Sequence, residues 1–81
     1  MKVTLKYFSI YEEILGKKEE TTEVGGQMTV EELFKEILKD HSLCHEYLRS
    51  TLFAVNQKYV PRDFKLKGGD EVAFIPPVAG G

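Results

Sequence analysis

Apolar and polar positions alternate through residues 2–8, with Val3, Leu5 and Tyr7 on one side and Lys2, Thr4, Lys6 and Phe8 on the other. A period of two is that of a strand with one face buried, which leaves Phe8 as a hydrophobe on the polar side. Ser9 and Glu12 stand in the spacing of a capping box, with the serine hydroxyl accepting from the Glu12 backbone and the glutamate reaching back. They predict a helix of about two turns, ended by Gly16. Residues 17–24 are charged and threonine-rich, suiting an exposed second strand that folds back on the first and is closed by Gly25 and Gly26.

At Thr29 the period becomes helical. Thr29 and Glu32 form a second capping box, Met28 and Leu33 occupy the positions of a hydrophobic staple, and Val30, Leu33, Phe34, Ile37 and Leu38 recur along one face. This is the main helix. Its apolar stripe belongs against a sheet, where burial at about 25 cal/mol per Å² makes it the largest single stabilising contribution. Residues 40–50 are mixed, and Leu43, Tyr47 and Leu48 suggest a further turn or two of helix. Residues 52–56 read as a strand, 56–58 as a turn and 59–60 as a short returning strand limited by Pro61. After a turn at 67–70, residues 71–75 form a last apolar strand, with Val72 and Phe74 on one face and Ala73 and Ile75 on the other. The order predicts an α+β domain with a helix across a mixed sheet.

Composition narrows the function classes. A chain of 81 residues is one domain, 1–81, and a domain of that size buries only about 60% of its unfolded surface, too little to enclose a large active site. With 42% hydrophobic and 30% charged residues, no part is biased enough to be disordered by composition. A net charge of −2 argues against broad nucleic-acid binding, which requires a cationic surface. Neither a signal-like start nor an apolar run of membrane-spanning length is visible, so no membrane partner is expected and the expected location is cytoplasmic.

The chemistry gathers at the end. Pro76 and Pro77 lack backbone donors, so they stop sheet pairing and send residues 76–81 away from the body as an extended tail. Gly80 and Gly81 carry no Cβ, so another protein's site can close around the backbone and reach a terminal carboxylate. Frayed termini of small residues are common, and residue types alone do not separate the two readings.

The run Gly69-Asp70-Glu71-Val72-Ala73-Phe74-Ile75-Pro76-Pro77-Val78-Ala79-Gly80-Gly81, with the upstream Ala54-Val55-Asn56-Gln57, resembles the small subunit of molybdopterin synthase. These are MoaD-type, ubiquitin-like sulfur carriers, and the likeness spans nearly the whole chain. It implies a β-grasp fold in which the first and last strands lie side by side at the centre of the sheet. Phe8, Ala54, Ala73 and Ile75 would then share the side away from the main helix and form an uncovered apolar patch. The resemblance further implies that Gly81, with Gly80 beside it, is adenylated by a MoeB-type enzyme that uses ATP. A persulfide donor then turns it into a thiocarboxylate, which delivers sulfur to cyclic pyranopterin monophosphate in the pocket of a MoaE-type large subunit. Phe8, Tyr59, Ile75, Pro76, Pro77, Val78 and Ala79 would meet the partners, and the assembly would be a heterotetramer. The chain would bind no cofactor and would not be an enzyme on its own. Carriers for cysteine, thiamine or tRNA thiolation, and ubiquitin-like modifiers, share the Gly-Gly end and remain alternatives. Members of the family often carry Arg where this chain has Glu12 and Ala where it has Ser9, so any contact made by that Arg is in doubt.

Other candidates are weaker. His41 and His45 lie one helical turn apart near the single Cys44, but a structural zinc site needs four ligands, and no metal site is expected. Cys44 reads as a packed thiol. Lys58, Arg62, Lys65 and Lys67 could steer an acidic partner, although Asp63, Asp70 and Glu71 dilute them.

Overall fold

In the computed structural model, which describes residues 1–42 and 44–76, the opening alternation becomes strand β1 (Lys2–Tyr7). Helix α1 (Ile10–Leu15), strand β2 (Glu19–Glu23) and the main helix α2 (Val30–Ile37) follow it. Then come α3 (Cys44–Ser50), β3 (Leu52–Val55), β4 (Lys58–Val60) and β5 (Glu71–Ile75). Leu43, the side chain of Cys44 and residues 77–81 lie outside the described residues, and with them the packed thiol and the projecting tail.

The strands form one sheet in the order β2-β1-β5-β3-β4. β1 and β5 run parallel at its centre, with Leu5 opposite Val72, and β3 lies antiparallel on the other side of β5, with Phe53 opposite Phe74. This is the expected β-grasp adjacency. Val3, Leu5, Tyr7, Phe53, Val55, Val72 and Phe74 turn to one face, and α2 lays Val30, Leu33 and Phe34, with its C-cap Leu38, over it. Phe34 is the centre of that contact. Its ring meets Phe74 at 5.1 Å, Tyr11 at 5.6 Å and Phe53 at 5.7 Å, all edge to face, a geometry that adds about 0.5–1.5 kcal/mol per pair beyond area burial. The start of α2 is capped as its sequence predicts: the Glu32 N–H donates to Thr29 Oγ1 at 3.2 Å, and the Thr29 N–H donates to Glu32 Oε1 at 2.9 Å. Among the described residues no helix is long and apolar enough to cross a membrane.

The start of α1 departs from expectation. Ser9 has φ 47° and ψ −121°, and its side chain makes no capping hydrogen bond. Instead the Tyr11 N–H donates to the Phe8 carbonyl at 3.0 Å, closing a tight turn with Ser9 at its positive-φ corner. The reason is tertiary. Tyr11 is fully buried against Phe34 and Phe74, so the chain must reverse within one residue of β1 and cannot take the extended conformation a capping serine requires. At the other end Gly16 closes the helix in the left-handed conformation, φ 72°, as predicted.

Among the described residues every buried side-chain polar atom has a hydrogen-bond partner. Thr51 gives its hydroxyl proton to the Tyr47 carbonyl at 2.6 Å, so the buried Tyr11 hydroxyl beside it donates to Thr51 Oγ1. Tyr7 donates to the Glu20 carboxylate at the β1–β2 edge. Burial first, and then the hydrogen bond and charge of Glu20, push the Tyr7 hydroxyl well above its usual pKa; the same hydrogen bond holds Glu20 below the ordinary carboxylate range. The two shifts act at opposite ends of the pH scale. Tyr7 contributes stability that is fully present below the unfolded tyrosine pKa of about 10 and lost as pH rises past it. Glu20 contributes stability present above the unfolded carboxylate pKa of about 4 and lost as pH falls through its lower folded value. The melting temperature therefore holds level between about pH 5 and 9 and drops on both sides, and Tyr7→Phe flattens the alkaline limb. Thermal scans from pH 3 to 11 check this, and an unchanged alkaline limb in Tyr7→Phe contradicts it.

Candidate functional site

The face of the sheet away from α2 is built by the alternate residues of the same strands. β5 contributes Glu71, Ala73 and Ile75, β3 contributes Leu52 and Ala54, and Tyr59 of β4 stands opposite Ala54. Lys6 of β1 lies beside Ala73, and Phe8 follows just after the strand. Lys6, Phe8, Ala54, Gln57, Tyr59, Glu71, Ala73 and Ile75 line one depression of about 330 Å³. Register gives it its shape. The row Tyr59, Ala54, Ala73, Lys6 runs across four strands with two alanines in the middle, and Leu52 and Ile75 are paired one step along. The alanines make a floor, and the larger residues stand around it.

The expected patch of Phe8, Ala54, Ala73 and Ile75 is therefore assembled. Neither α1 nor α3 covers it: Phe8 is 47% exposed, Leu52 57% and Tyr59 72%, the exposed large hydrophobics among the described residues. Ala54, by contrast, is almost buried beneath its neighbours. Leu52 belongs to the patch and was legible, since it lies two residues before Ala54 and shares its parity. Lys6 and Glu71 were not, because their meeting across the sheet at 3.5 Å depends on the register of β1 against β5.

β5 leads straight from this patch into the chain end. Pro76, half-buried, is the last described residue; Pro77, Val78, Ala79, Gly80 and Gly81, the remaining expected contact and carrier positions, lie outside the described residues. What precedes β5 is held firmly. The Asn56 amide donates to Asp70 Oδ1 at 3.0 Å, its carbonyl oxygen accepts from the Glu71 N–H at 3.0 Å, and Asp70 Oδ2 accepts from the Lys67 N–H at 2.8 Å. Asn56 and Gln57 both have positive φ, 54° and 70°, as a two-residue hairpin turn demands. One asparagine thus makes the β3–β4 turn and ties it to the first residue of β5. Replacing it by alanine removes both side-chain bonds and puts into the left-handed region a residue without the short polar side chain that eases asparagine into it, at a cost of about 2–3 kcal/mol. For a domain of this size that lowers the melting temperature by about 10 °C or more. Asn56→Gly restores the backbone freedom and recovers part of the loss; equal melting temperatures for wild type and Asn56→Ala contradict the tie.

The other candidates disperse. Arg62 donates to the Arg49 carbonyl at 2.9 Å, Lys65 to Gln27 at 3.3 Å, and Lys67 lies 5.9 Å from the Phe64 ring, so the basic run forms no single charged face. The His41 ring packs on Tyr47 at 5.7 Å, and the described residues contain no group of three or more His, Cys, Asp or Glu side chains placed to hold a metal.

Comparison with known proteins agrees with this architecture. The sequence pattern of the ThiS family matches residues 5–81. The molybdopterin synthase sulfur carrier subunit of Chlamydomonas reinhardtii is 40% identical over 83 residues, covering 100% of both chains. A solved structure of molybdopterin converting factor subunit 1 from Pyrococcus furiosus superposes with a TM-score of 0.79 at 36% identity, covering 96% of this chain and 99% of that one. A protein–protein complex of subunits 1 and 2 of the molybdopterin-converting factor from Helicobacter pylori contains a chain of the same fold, with a TM-score of 0.64 at 24% identity and complete coverage of both.

Proposed function

The chain belongs to the ThiS family, and from that membership we propose that it is the sulfur carrier subunit of a molybdopterin synthase. The observation that carries the proposal is the placing of an uncovered apolar depression on β5, the strand that runs directly into the Gly-Gly end. A body of this kind is a handle. Phe8, Tyr59 and Ile75 grip a partner, Pro76, Pro77, Val78 and Ala79 are drawn along its surface, and the Gly81 carboxyl is delivered to a reaction centre in that partner. The likeness to molybdopterin synthase carriers over the full chain supports this assignment of roles.

The chemistry follows from a carboxylate being a poor electrophile. In a MoeB-type enzyme the Gly81 carboxylate attacks the α-phosphate of ATP and pyrophosphate leaves. A persulfide sulfur then attacks the acyl carbon and AMP leaves. A thiol then attacks the donor's cysteine sulfur, forming a disulfide with it and leaving the persulfide's former outer sulfur on the carrier as a thiocarboxylate. That group is anionic at neutral pH and nucleophilic. Held in the pocket of a MoaE-type large subunit, it attacks cyclic pyranopterin monophosphate as one part of a preassembled complex, which replaces a bimolecular encounter by a step of nearly unimolecular character. Two such deliveries supply the two sulfurs of the dithiolene.

Reconstitution tests the reading. Sulfur-loaded carrier, large subunit and pterin precursor together yield the dithiolene product, and omission of the carrier abolishes it. A carrier that loads sulfur but yields no product places the chain in another sulfur pathway, and conjugates to lysines of other proteins make it a modifier; either result overturns the proposal.

A further inference from the structure

The depression is not wholly apolar. Lys6 and Glu71 stand at its side, their side chains partly exposed, with Lys6 Nζ 3.5 Å from Glu71 Oε2. The pair is diagonal: Lys6 lies opposite Ala73 and Glu71 opposite Thr4, so each side chain reaches across the gap between two parallel strands. As an exposed ion pair it adds little to folding. Its meaning changes when a partner covers the depression, because both charges are then taken from water together.

We propose that Lys6 and Glu71 are a self-neutralised pair that sets the specificity of the depression, which accepts a partner surface that is apolar and uncharged opposite them. The inference rests on the proposed docking of the carrier to its large subunit and adds what that docking demands. Covering a matched pair removes water from a unit of zero net charge, whereas covering a lone lysine or a lone glutamate strands a charge against apolar groups. No other charged side chain lines the depression, whose remaining residues are Phe8, Ala54, Gln57, Tyr59, Ala73 and Ile75; Glu19, opposite Lys6 on β2, stands outside it. A partner that supplied its own charge to either residue would have to break the pair first.

The experiment is a double-mutant cycle on the affinity of the full chain for the large subunit, using Lys6→Met and Glu71→Gln. Each substitution keeps the shape of the side chain while removing its charge. Each single variant weakens binding by about tenfold or more, because it leaves the other charge to be buried alone. The double variant returns to within about threefold of the wild type, since nothing charged is left to bury. Melting temperatures of all four proteins stay within a few degrees, which separates docking from folding. Losses in the two single variants that add up in the double variant mean that each charge meets an opposite charge on the partner, and overturn the inference; so do single variants that bind like the wild type. Absence of binding by the unaltered chain instead rejects the functional reading on which the inference stands.

Discussion

A chain lacking Gly81 acquires no sulfur from the activating system, yet unfolds at the temperature of the full-length protein. The truncated chain still ends in a glycine carboxylate, so the loss does not come from removing the reactive group. It comes from reach. One residue of extended chain spans about 3.3–3.6 Å, and a displacement of about 1 Å at a reacting centre already costs about a hundredfold in rate. A tail shortened by a whole residue therefore presents its carboxyl several times farther from the nucleotide than the chemistry tolerates. Folding is indifferent because the core closes on Phe74, and the bonds that anchor β5 are made by Asn56, Asp70 and Lys67. Adenylation followed by ATP–pyrophosphate exchange and sulfur incorporation followed by mass measure the first part, and thermal scans the second. Exchange at the wild-type rate removes the carrier assignment of Gly81, and a fall of many degrees in melting temperature shows that the end is part of the fold.

Ile75→Asp separates docking from folding in a similar way. Ile75 faces outward beside Leu52 in the depression, whereas its neighbour Phe74 points into the core and is fully buried. Ile75 is partly exposed, so a carboxylate at position 75 still reaches water in the free protein and costs about 1–2 kcal/mol of stability. In the complex it is pressed against apolar groups without a partner, which costs about 2 kcal/mol or more and weakens the affinity for the large subunit about 30-fold or more. The same substitution at Phe74 places the charge beneath α2 among Tyr7, Tyr11, Phe34 and Phe53, and the chain does not fold. One step along β5 thus divides a residue that holds the protein together from one proposed to meet its partner. Titration of the large subunit with the Ile75 variant is the check, and wild-type affinity would detach the depression from function.

The parts of this arrangement that were legible in the sequence are those encoded by local spacing. The alternation in β1 and β5 separates core from patch, Thr29 and Glu32 mark the start of α2, and Pro61 and Pro76 end their strands. Periodicity does not say which strands are neighbours. The central pairing of β1 with β5 followed from family resemblance, and the Lys6–Glu71 pair and the Asn56–Asp70 bond depend on contacts between residues far apart in the chain. Ser9 illustrates the opposite failure. Its spacing to Glu12 is that of a capping box, but burial of Tyr11 outweighs the roughly 1 kcal/mol a cap provides, and the backbone turns through positive φ instead. The departure of Ser9 and Glu12 from the usual family residues is thus not explained by mutual capping. Leu52 was readable by parity from Ala54, and its exposure makes it an equal member of the patch.

The proposed function requires that sulfur be carried on the last carbon of the chain. Incubation with ATP, a MoeB-type enzyme and a persulfide donor, followed by intact-mass measurement and fragmentation, tests it most directly. The predicted result is a gain of about 16 Da, sulfur in place of oxygen, confined to the C-terminal fragment that ends in Gly81. An unchanged mass, or a gain of about 32 Da located on Cys44 as a persulfide, would contradict it.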